Sequence, residues 1–182
     1  MPRLFVAIDL PEAVVGELAR FCCGMPGARW VAPEQLHLTL RFVGEVDGGL
    51  FREIREALNA VDGGAFDLRV KGFGYFPPRK APRVLWAGVE PAEGVTALRS
   101  RIEKAVVRLG LEPEPRKFSP HITLARLDGT PVGKVTQFLA GNSLYSSPTF
   151  TVSEFHLYSS VLTAKGAIHT IEASYPLEMV AL

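Results

Sequence analysis

The 182-residue sequence contains two cysteines, Cys22 and Cys23, and they are adjacent. Neighbouring cysteines do not have the spacing of a disulfide framework or of a zinc knuckle. Both fall within the apolar stripe of a predicted helix, so we expect them to fill space in the core or at the surface. Their pattern excludes a disulfide-stabilised fold and a small zinc-binding fold.

The chain also lacks a long apolar run and an excess of charge of either sign. No apolar segment approaches the roughly 20 residues that span a bilayer, and Asp9 and Glu12 come too early for a secretory signal peptide. We therefore expect a cytoplasmic protein with no membrane partner. The formal net charge of +1 excludes a broadly basic nucleic-acid coat. Any contact with RNA or nucleotides must then be local and directed at a phosphate group.

The apolar content of the chain is sufficient for a core. Hydrophobic residues make up 47% of the sequence, which is enough to bury one sizeable core or two small lobes. No segment has the composition of a disordered tail. The sequence predicts a compact globular protein, and we expect it to be a monomer.

The most informative pattern is a tetrapeptide that occurs twice. HLTL at 37–40 returns as HITL at 121–124, which is 84 residues later. In a strand, successive side chains point to opposite faces, so the histidine and threonine of each copy share one face while the aliphatic pair enters the core. If the two strands face each other across a cleft, two imidazoles and two hydroxyls meet there, which suits acid–base chemistry at an anion. The four residues are His37, Thr39, His121 and Thr123.

The repetition extends beyond the tetrapeptides. Phe66 and Phe150 begin similar segments at the same separation of 84 residues, and Pro11 and Pro91 follow similar segments at a separation of 80. Each half reads as strand, helix, HxTL strand, helix and strand. The predicted helices lie near 14–22, 49–60, 95–109 and 131–140, and the other predicted strands near 4–10, 66–74, 84–89, 150–158 and 168–175.

Each motif is followed, a few positions later, by a residue whose side chain suits a nucleotide-binding site. Arg126 stands five residues after His121, at the end of the same predicted strand, where a guanidinium can hold two oxygens of one phosphate. Phe42 stands at the same offset from His37. It either stacks on a nucleobase or packs into the core, and the sequence leaves both interpretations open.

The remaining basic residues and histidines receive no catalytic role. A proline-rich turn at 77–83 carries three basic residues, which we interpret as a solvated loop. His156 and His169 lack a threonine two residues on and have no counterpart in the other half. We interpret both as structural or solvent-facing.

These segments resemble a known family. WVAPEQLHLTLRFVGEV, RKFSPHITLAR, RLFVAIDLP and SSVLTAKGAIHT look like the bacterial and archaeal RNA 2′,3′-cyclic phosphodiesterases of the 2H phosphoesterase superfamily, formerly called 2′-5′ RNA ligases. The resemblance covers essentially the whole chain, and a paired HxTL at this separation is a highly specific signal. It implies a single domain over 1–182 with an internal duplication.

The resemblance also implies a fold and a reaction. The fold is α+β and bilobal, with two pseudo-symmetric lobes, each an antiparallel sheet with outer helices, enclosing a central cleft. The reaction is hydrolysis of an RNA or nucleotide 2′,3′-cyclic phosphate to a 2′-phosphomonoester, with no metal and no other cofactor. The expected partners are RNA ends or nucleotides that bear the cyclic phosphate, with tRNA fragments as one source.

The resemblance assigns a role to each site residue. His121 is the general base on the attacking water, and His37 is the general acid that protonates the departing O3′. Thr39, Thr123 and Arg126 hold the non-bridging oxygens, and Phe42 packs on the base.

Paired histidines have three other uses. A metal centre fails on ligand count, because each motif supplies one imidazole and no carboxylate, whereas zinc sites take three or four protein ligands. A non-catalytic module that binds RNA ends or nucleotides remains an alternative. So does ligation, the reverse reaction at the same site, as the physiological activity.

Overall fold

Residues 2–179, which the computed structural model describes, contain nine strands and four α-helices in an α+β arrangement. The strands are β1 (Arg3–Asp9), β2 (Ala28–Trp30), β3 (His37–Glu45), β4 (Phe66–Phe76), β5 (Val84–Glu90), β6 (His121–Leu127), β7 (Phe150–Val152), β8 (Glu154–Thr163) and β9 (Gly166–Pro176). The helices are α1 (Glu12–Phe21), α2 (Gly48–Ala57), α3 (Glu93–Val107) and α4 (Val132–Gly141).

The strands join into one sheet in the order β7-β4-β5-β6-β3-β1-β8-β9, and β2 pairs with β6 off this path. All pairs between these strands are antiparallel, which confirms the predicted α+β class. The two motif strands, β3 and β6, are neighbours at the centre and meet at Leu38 and Ile122. The two motif strands thus lie side by side in the sheet, which is the arrangement that brings their histidine faces together. Closure of two lobes around a cleft stays a prediction.

Apolar side chains of the helices and of one sheet face form the core. The longest helix, α3, contributes Val95, Leu98 and Ile102, which are spaced to lie on one helical face and are fully or almost fully buried. They belong to the same cluster as Leu38 and Ile122, and α3 contacts β3. Burying each such side chain stabilises the fold by about 1.5–3 kcal/mol. The helices therefore cover the aliphatic face of the motif strands and leave the histidine face open.

The predicted elements agree with the structure except at two places. The strand predicted over 150–158 is broken at Ser153, because β7 pairs with β4 whereas β8 pairs with β1. The chain changes sheet neighbours at this residue. The three-residue strand β2 was not predicted, since a segment this short shows no measurable periodicity.

The two cysteines lie at and just beyond the end of α1, and not within its apolar stripe as predicted. Cys22 is partly buried against the core, Cys23 is exposed, and both are free thiols. Burial raises the pKa of the Cys22 thiol to about 11, so this thiol stays protonated and unreactive near neutral pH. Across residues 2–179, no helix has both the length and the apolar character needed to cross a membrane.

Candidate active site

The two motif strands have the same pattern of buried and half-buried residues. In both, the histidine and the threonine are half-buried on one face, and the aliphatic residues between and after them are buried on the other. Because Leu38 pairs with Ile122, the residues that flank this pair surround it on the opposite face. The sheet thus brings together the four residues that the motifs predicted. They are His37, Thr39, His121 and Thr123.

A β-bulge in β3 changes which face the later residues occupy. Thr39 and Arg41 pair with successive residues of β1, which leaves Leu40 as the extra residue. Leu40 and Arg41 are both buried, and the next residue, Phe42, returns to the face of His37 with 63% of its surface exposed. This exposure excludes a core position for Phe42.

The strand β6 has a bulge at the equivalent place. Thr123 and Ala125 pair with successive residues of β5, which leaves Leu124 as the extra residue. Leu124 and Ala125 are buried, and Arg126 is exposed. Strict alternation puts Arg126 on the helix-covered face, so the bulge is what brings it to the face of His121.

Both motif histidines are anchored in the same way. Nδ1 of His37 lies 2.6 Å from the carbonyl oxygen of Gln35, and Nδ1 of His121 lies 2.8 Å from the carbonyl oxygen of Ser119. A carbonyl oxygen can only accept a hydrogen bond, so Nδ1 is the donor in both rings. In the neutral rings the lone pair is then on Nε2. Each ring therefore exchanges protons at Nε2.

Aromatic rings enclose the imidazole of His37. Phe5 stacks on it at a centroid distance of 5.0 Å, His169 meets it edge-on at 5.6 Å, and Tyr158 lies 6.2 Å away. Burial lowers the pKa of His37, and His169 lowers it further, against the opposing effect of the hydrogen bond to Gln35. The free protein therefore favours the neutral form of His37.

His169 belongs to this site, contrary to its interpretation as a structural or solvent-facing residue. It is half-buried in β9, where pairing with Ser160 of β8 brings its ring beside Phe5 and His37. No pattern in the sequence indicates this contact, because β9 has no counterpart in the repeat. His156 is structural as expected, since it is 4% exposed and its Nδ1 lies 2.8 Å from the hydroxyl of Ser174.

A second aromatic group borders His121. The ring of Phe76 meets it edge-on at 5.0 Å, and the indole of Trp86 lies 6.4 Å away. Trp86 lies across the backbone of Gly74, where an added Cβ atom would come within 2.2 Å of the indole. Glycine at 74 is therefore required for Trp86 to reach this position. Neither aromatic neighbour of His121 was predicted from the sequence.

An internal ion pair holds the loop that leads into the second motif. Nε of Arg41 lies 2.6 Å from Oε2 of Glu103 on α3, and both side chains are mostly buried. Arg41 also donates to the carbonyl of Glu112, and Glu103 accepts from the backbone N–H of Glu114. The first motif strand, α3 and the segment before His121 are thus joined by one network. Within residues 2–179, no group of three or more His, Cys, Asp or Glu side chains is placed to hold a metal ion.

Comparison with known proteins agrees with this geometry. The family described as LigT like phosphoesterase matches residues 8–86 and 88–169, so each matched segment contains one HxTL motif. An RNA 2′,3′-cyclic phosphodiesterase of Thermotoga maritima is 35% identical over 175 residues, covering 93% of this chain and 92% of that protein. One of Aeropyrum pernix is 34% identical over 163 residues, covering 86% and 92%.

Solved structures of LigT and related proteins are also similar to this chain. A Thermus thermophilus protein has a TM-score of 0.79 at 30% identity and covers 97% of this chain and 98% of its own. E. coli LigT complexed with 3′-AMP has a TM-score of 0.79 at 26% identity and covers 97% and 99%. These matches span nearly the whole of both chains, and the chain therefore belongs to the LigT-like phosphoesterases of the 2H superfamily.

Proposed function

We propose that this protein hydrolyses the 2′,3′-cyclic phosphate of RNA ends or nucleotides to a 2′-phosphomonoester by two-histidine acid–base catalysis. The observation that carries the proposal is the placement of His37 and His121 on one face around the Leu38–Ile122 pair, each with Nδ1 held by a carbonyl. Two Nε2 atoms are then available for one displacement at phosphorus.

The reaction requires two proton transfers. His121 takes a proton from water as the water oxygen bonds to phosphorus, and His37 gives a proton to O3′ as the P–O3′ bond breaks. Each transfer by a positioned side chain contributes about 10²–10⁴-fold. The two imidazoles supply both transfers, so the proposed mechanism uses no metal ion.

The reaction also requires stabilisation of the negative charge that develops on the oxygens of the pentacoordinate phosphorus. The hydroxyls of Thr39 and Thr123 lie on the same face, and Arg126 is exposed on that face three residues after Thr123 in β6. Hydroxyl and guanidinium donors stabilise negative charge as it develops on the non-bridging oxygens. In this proposal Phe42, which is exposed at the other end of this face, stacks on the base.

The lowered pKa of His37 is compatible with its role as the acid. Burial favours the neutral ring in the free protein, but a phosphate anion beside the ring favours the protonated form. Substrate therefore brings His37 to the protonation state that the step requires. Once protonated, a buried imidazolium is a stronger acid than an exposed one, which helps it to protonate a poor leaving group.

The relatives support the substrate class. Those of Thermotoga maritima and Aeropyrum pernix are named RNA 2′,3′-cyclic phosphodiesterases, and structures of E. coli LigT are complexes with 3′-AMP, ATP and phosphate. We propose RNA ends with a cyclic phosphate, including those of tRNA fragments, as substrates of this protein, which we expect to act as a monomer in the cytoplasm.

Incubation with adenosine 2′,3′-cyclic phosphate tests the proposal. We expect adenosine 2′-monophosphate as the product, at a rate unchanged by EDTA. Tight binding without turnover, with the fold intact, would instead identify a non-catalytic binding module. Turnover that EDTA abolishes and a divalent ion restores would overturn the metal-free mechanism. Net joining of RNA ends that bear a 2′,3′-cyclic phosphate and a 5′-hydroxyl, supplied in place of the mononucleotide, would favour ligation.

A further inference from the structure

We propose that Arg29 binds a second phosphate, the one on the 5′ side of the terminal nucleotide, so that the protein prefers RNA ends to cyclic mononucleotides. This inference rests on the proposed function, in which the terminal phosphate lies at the histidines and Arg126. It adds a subsite that the motifs do not contain.

Arg29 lies directly opposite Arg126 in the sheet. The two residues are register partners in the antiparallel pair of β2 and β6, and both are exposed. Side chains of directly opposed residues share a face, and their Cα atoms are about 4.5–5.5 Å apart. Arg29 is therefore on the face that carries His121 and Thr123.

This pair of cations lacks a carboxylate partner. Among residues 2–179, no Asp or Glu oxygen lies within 4.0 Å of either guanidinium. Like charges directly opposite each other in a sheet are destabilising, so phosphates bound at the two guanidinium groups relieve a cost already present in the fold. Six other arginines have acidic partners, namely Arg3, Arg41, Arg69, Arg99, Arg101 and Arg116.

The strand β2 puts Arg29 level with Arg126, one strand to the side of the residue that holds the terminal phosphate in the proposed function. The Leu38–Ile122 pair marks the histidines, and Arg126 is four residues farther along β6, or about 10–13 Å at the rise of a strand. Gly27 keeps β2 this close, because an added Cβ atom there would lie 2.2 Å from the carbonyl oxygen of Asp128. An open groove of about 530 Å³ runs here, lined by Gly27, Ala28, Arg29, Arg126, Leu127 and Asp128.

The ligand class follows from this position. A cyclic mononucleotide carries one phosphate, which the histidine face and Arg126 satisfy. An RNA end carries another on the 5′ oxygen of the same nucleoside, and a guanidinium is the side chain best suited to hold phosphate oxygens in pairs. Arg29 thus distinguishes a nucleotide within a chain from a free cyclic nucleotide.

Two substrates that differ by one phosphate test this inference. They are adenosine 2′,3′-cyclic phosphate and its 5′-phosphorylated form. We expect wild-type protein to have the higher kcat/KM on the second, and Arg29→Gln to reduce this preference about tenfold, the scale of a hydrogen bond to a charged group. Rising salt should reduce the preference as well. Arg108→Gln, which removes an exposed charge at the end of α3, should retain it.

Two results would overturn the inference. One is equal kcat/KM on both substrates in the wild type. The other is an equal loss on both substrates in Arg29→Gln, which would mean that both arginines hold the terminal phosphate. Binding of adenosine 2′-monophosphate and adenosine 2′,5′-bisphosphate gives the same ratio without turnover. If the protein is inactive but binds the bisphosphate more tightly, and Arg29→Gln removes this preference, the proposed reaction is refuted. The phosphate subsite at Arg29 is then still supported.

Discussion

The imidazole of His169 on β9 meets that of His37 on β3 edge-on, with ring centroids 5.6 Å apart and ring planes at 71°. The proposed acid therefore shares its surroundings with a second titratable ring from the last hairpin. Protonation of one ring disfavours protonation of the other, and burial lowers the pKa of both. A residue outside the repeated motifs thus adds to the effect of burial on the pKa of His37.

Replacement of His169 should move the pH profile in a known direction. His169→Ala exposes one side of the His37 ring and removes a neighbouring positive charge, and both changes raise the pKa of His37. The limb of the kcat/KM profile that reports His37 then moves to higher pH. NMR titration of His37 measures the same shift directly. Thr170→Ala, at the exposed neighbouring position, should leave the limb of the kcat/KM profile and the NMR titration of His37 unchanged. A limb that stays in place in His169→Ala contradicts the coupling.

The two motif histidines should act as one unit. His37→Ala and His121→Ala should each lower kcat by about 10²–10⁴-fold, because each removes one proton transfer of the same displacement. The double variant should be barely worse than either single variant, since losses within one concerted step do not add. Steady-state kinetics and thermal unfolding of all three variants check this. Near wild-type turnover in either folded single variant would falsify the two-histidine mechanism.

Arg126→Lys should be far from conservative. Lysine keeps the charge, but it replaces a planar fork that donates two parallel hydrogen bonds with a single flexible contact. The expected loss is about 1.5–3 kcal/mol, or roughly ten- to a hundredfold in rate. It should appear in kcat, because negative charge on the phosphate oxygens builds as water adds. Arg83→Lys, in the exposed turn before β5, serves as the control. If Arg126→Lys and Arg126→Ala both match wild type, Arg126 has no part in the site.

The Arg41–Glu103 pair should dominate the electrostatic contribution to stability. Glu103→Gln leaves Arg41, which is 8% exposed, without its counter-charge, at a cost of about 3 kcal/mol in the free energy of unfolding. Glu45→Gln removes an equal charge from an exposed pair with Arg3 at 3.7 Å and should cost under about 1 kcal/mol. Urea unfolding of both variants at neutral pH makes the comparison. Equal losses of unfolding free energy in Glu103→Gln and Glu45→Gln would contradict the dominant role of the Arg41–Glu103 pair.

The effect of Glu103→Gln should also depend on pH. Burial alone raises the pKa of Glu103, but the hydrogen bond from Glu114 and the Arg41 guanidinium outweigh it, so the pKa lies below its ordinary value of 4.5. The unfolded state therefore binds this proton more tightly than the folded state. The stabilisation is complete above pH 4.5 and disappears as the pH falls through the lowered pKa. The difference in the free energy of unfolding between wild type and Glu103→Gln should therefore become smaller as the pH falls below 4.5.

The repeat in the sequence predicted most of the site because strand alternation is a local rule. It placed His37 and His121 with their threonines on one face, and it picked out Phe42 and Arg126 by their common offset. Alternation alone does not explain that offset, since Phe42 is an odd number of positions from His37. The two bulges do, and they follow from how β3 and β6 pair with β1 and β5.

What the sequence could not predict depends on contacts between distant segments. The contact of His169 with His37 requires the register of the β8–β9 hairpin, and the Arg29–Arg126 pair requires a three-residue strand. The side-by-side arrangement of β3 and β6 depends on one pairing between Leu38 and Ile122. A single domain with an internal duplication stays a prediction.

The pairing of Leu38 with Ile122 also has a consequence for protein synthesis. These residues are 84 positions apart, so at about 5–20 residues per second β3 waits about 4–17 s for β6 to be made. During this time one edge of β3 has no partner within the sheet, and such an edge can pair with another chain. The nascent first half also lacks half of the candidate site, because His121, Thr123 and Arg126 have not yet been synthesised. In the proposed mechanism, activity therefore requires that both halves have been synthesised.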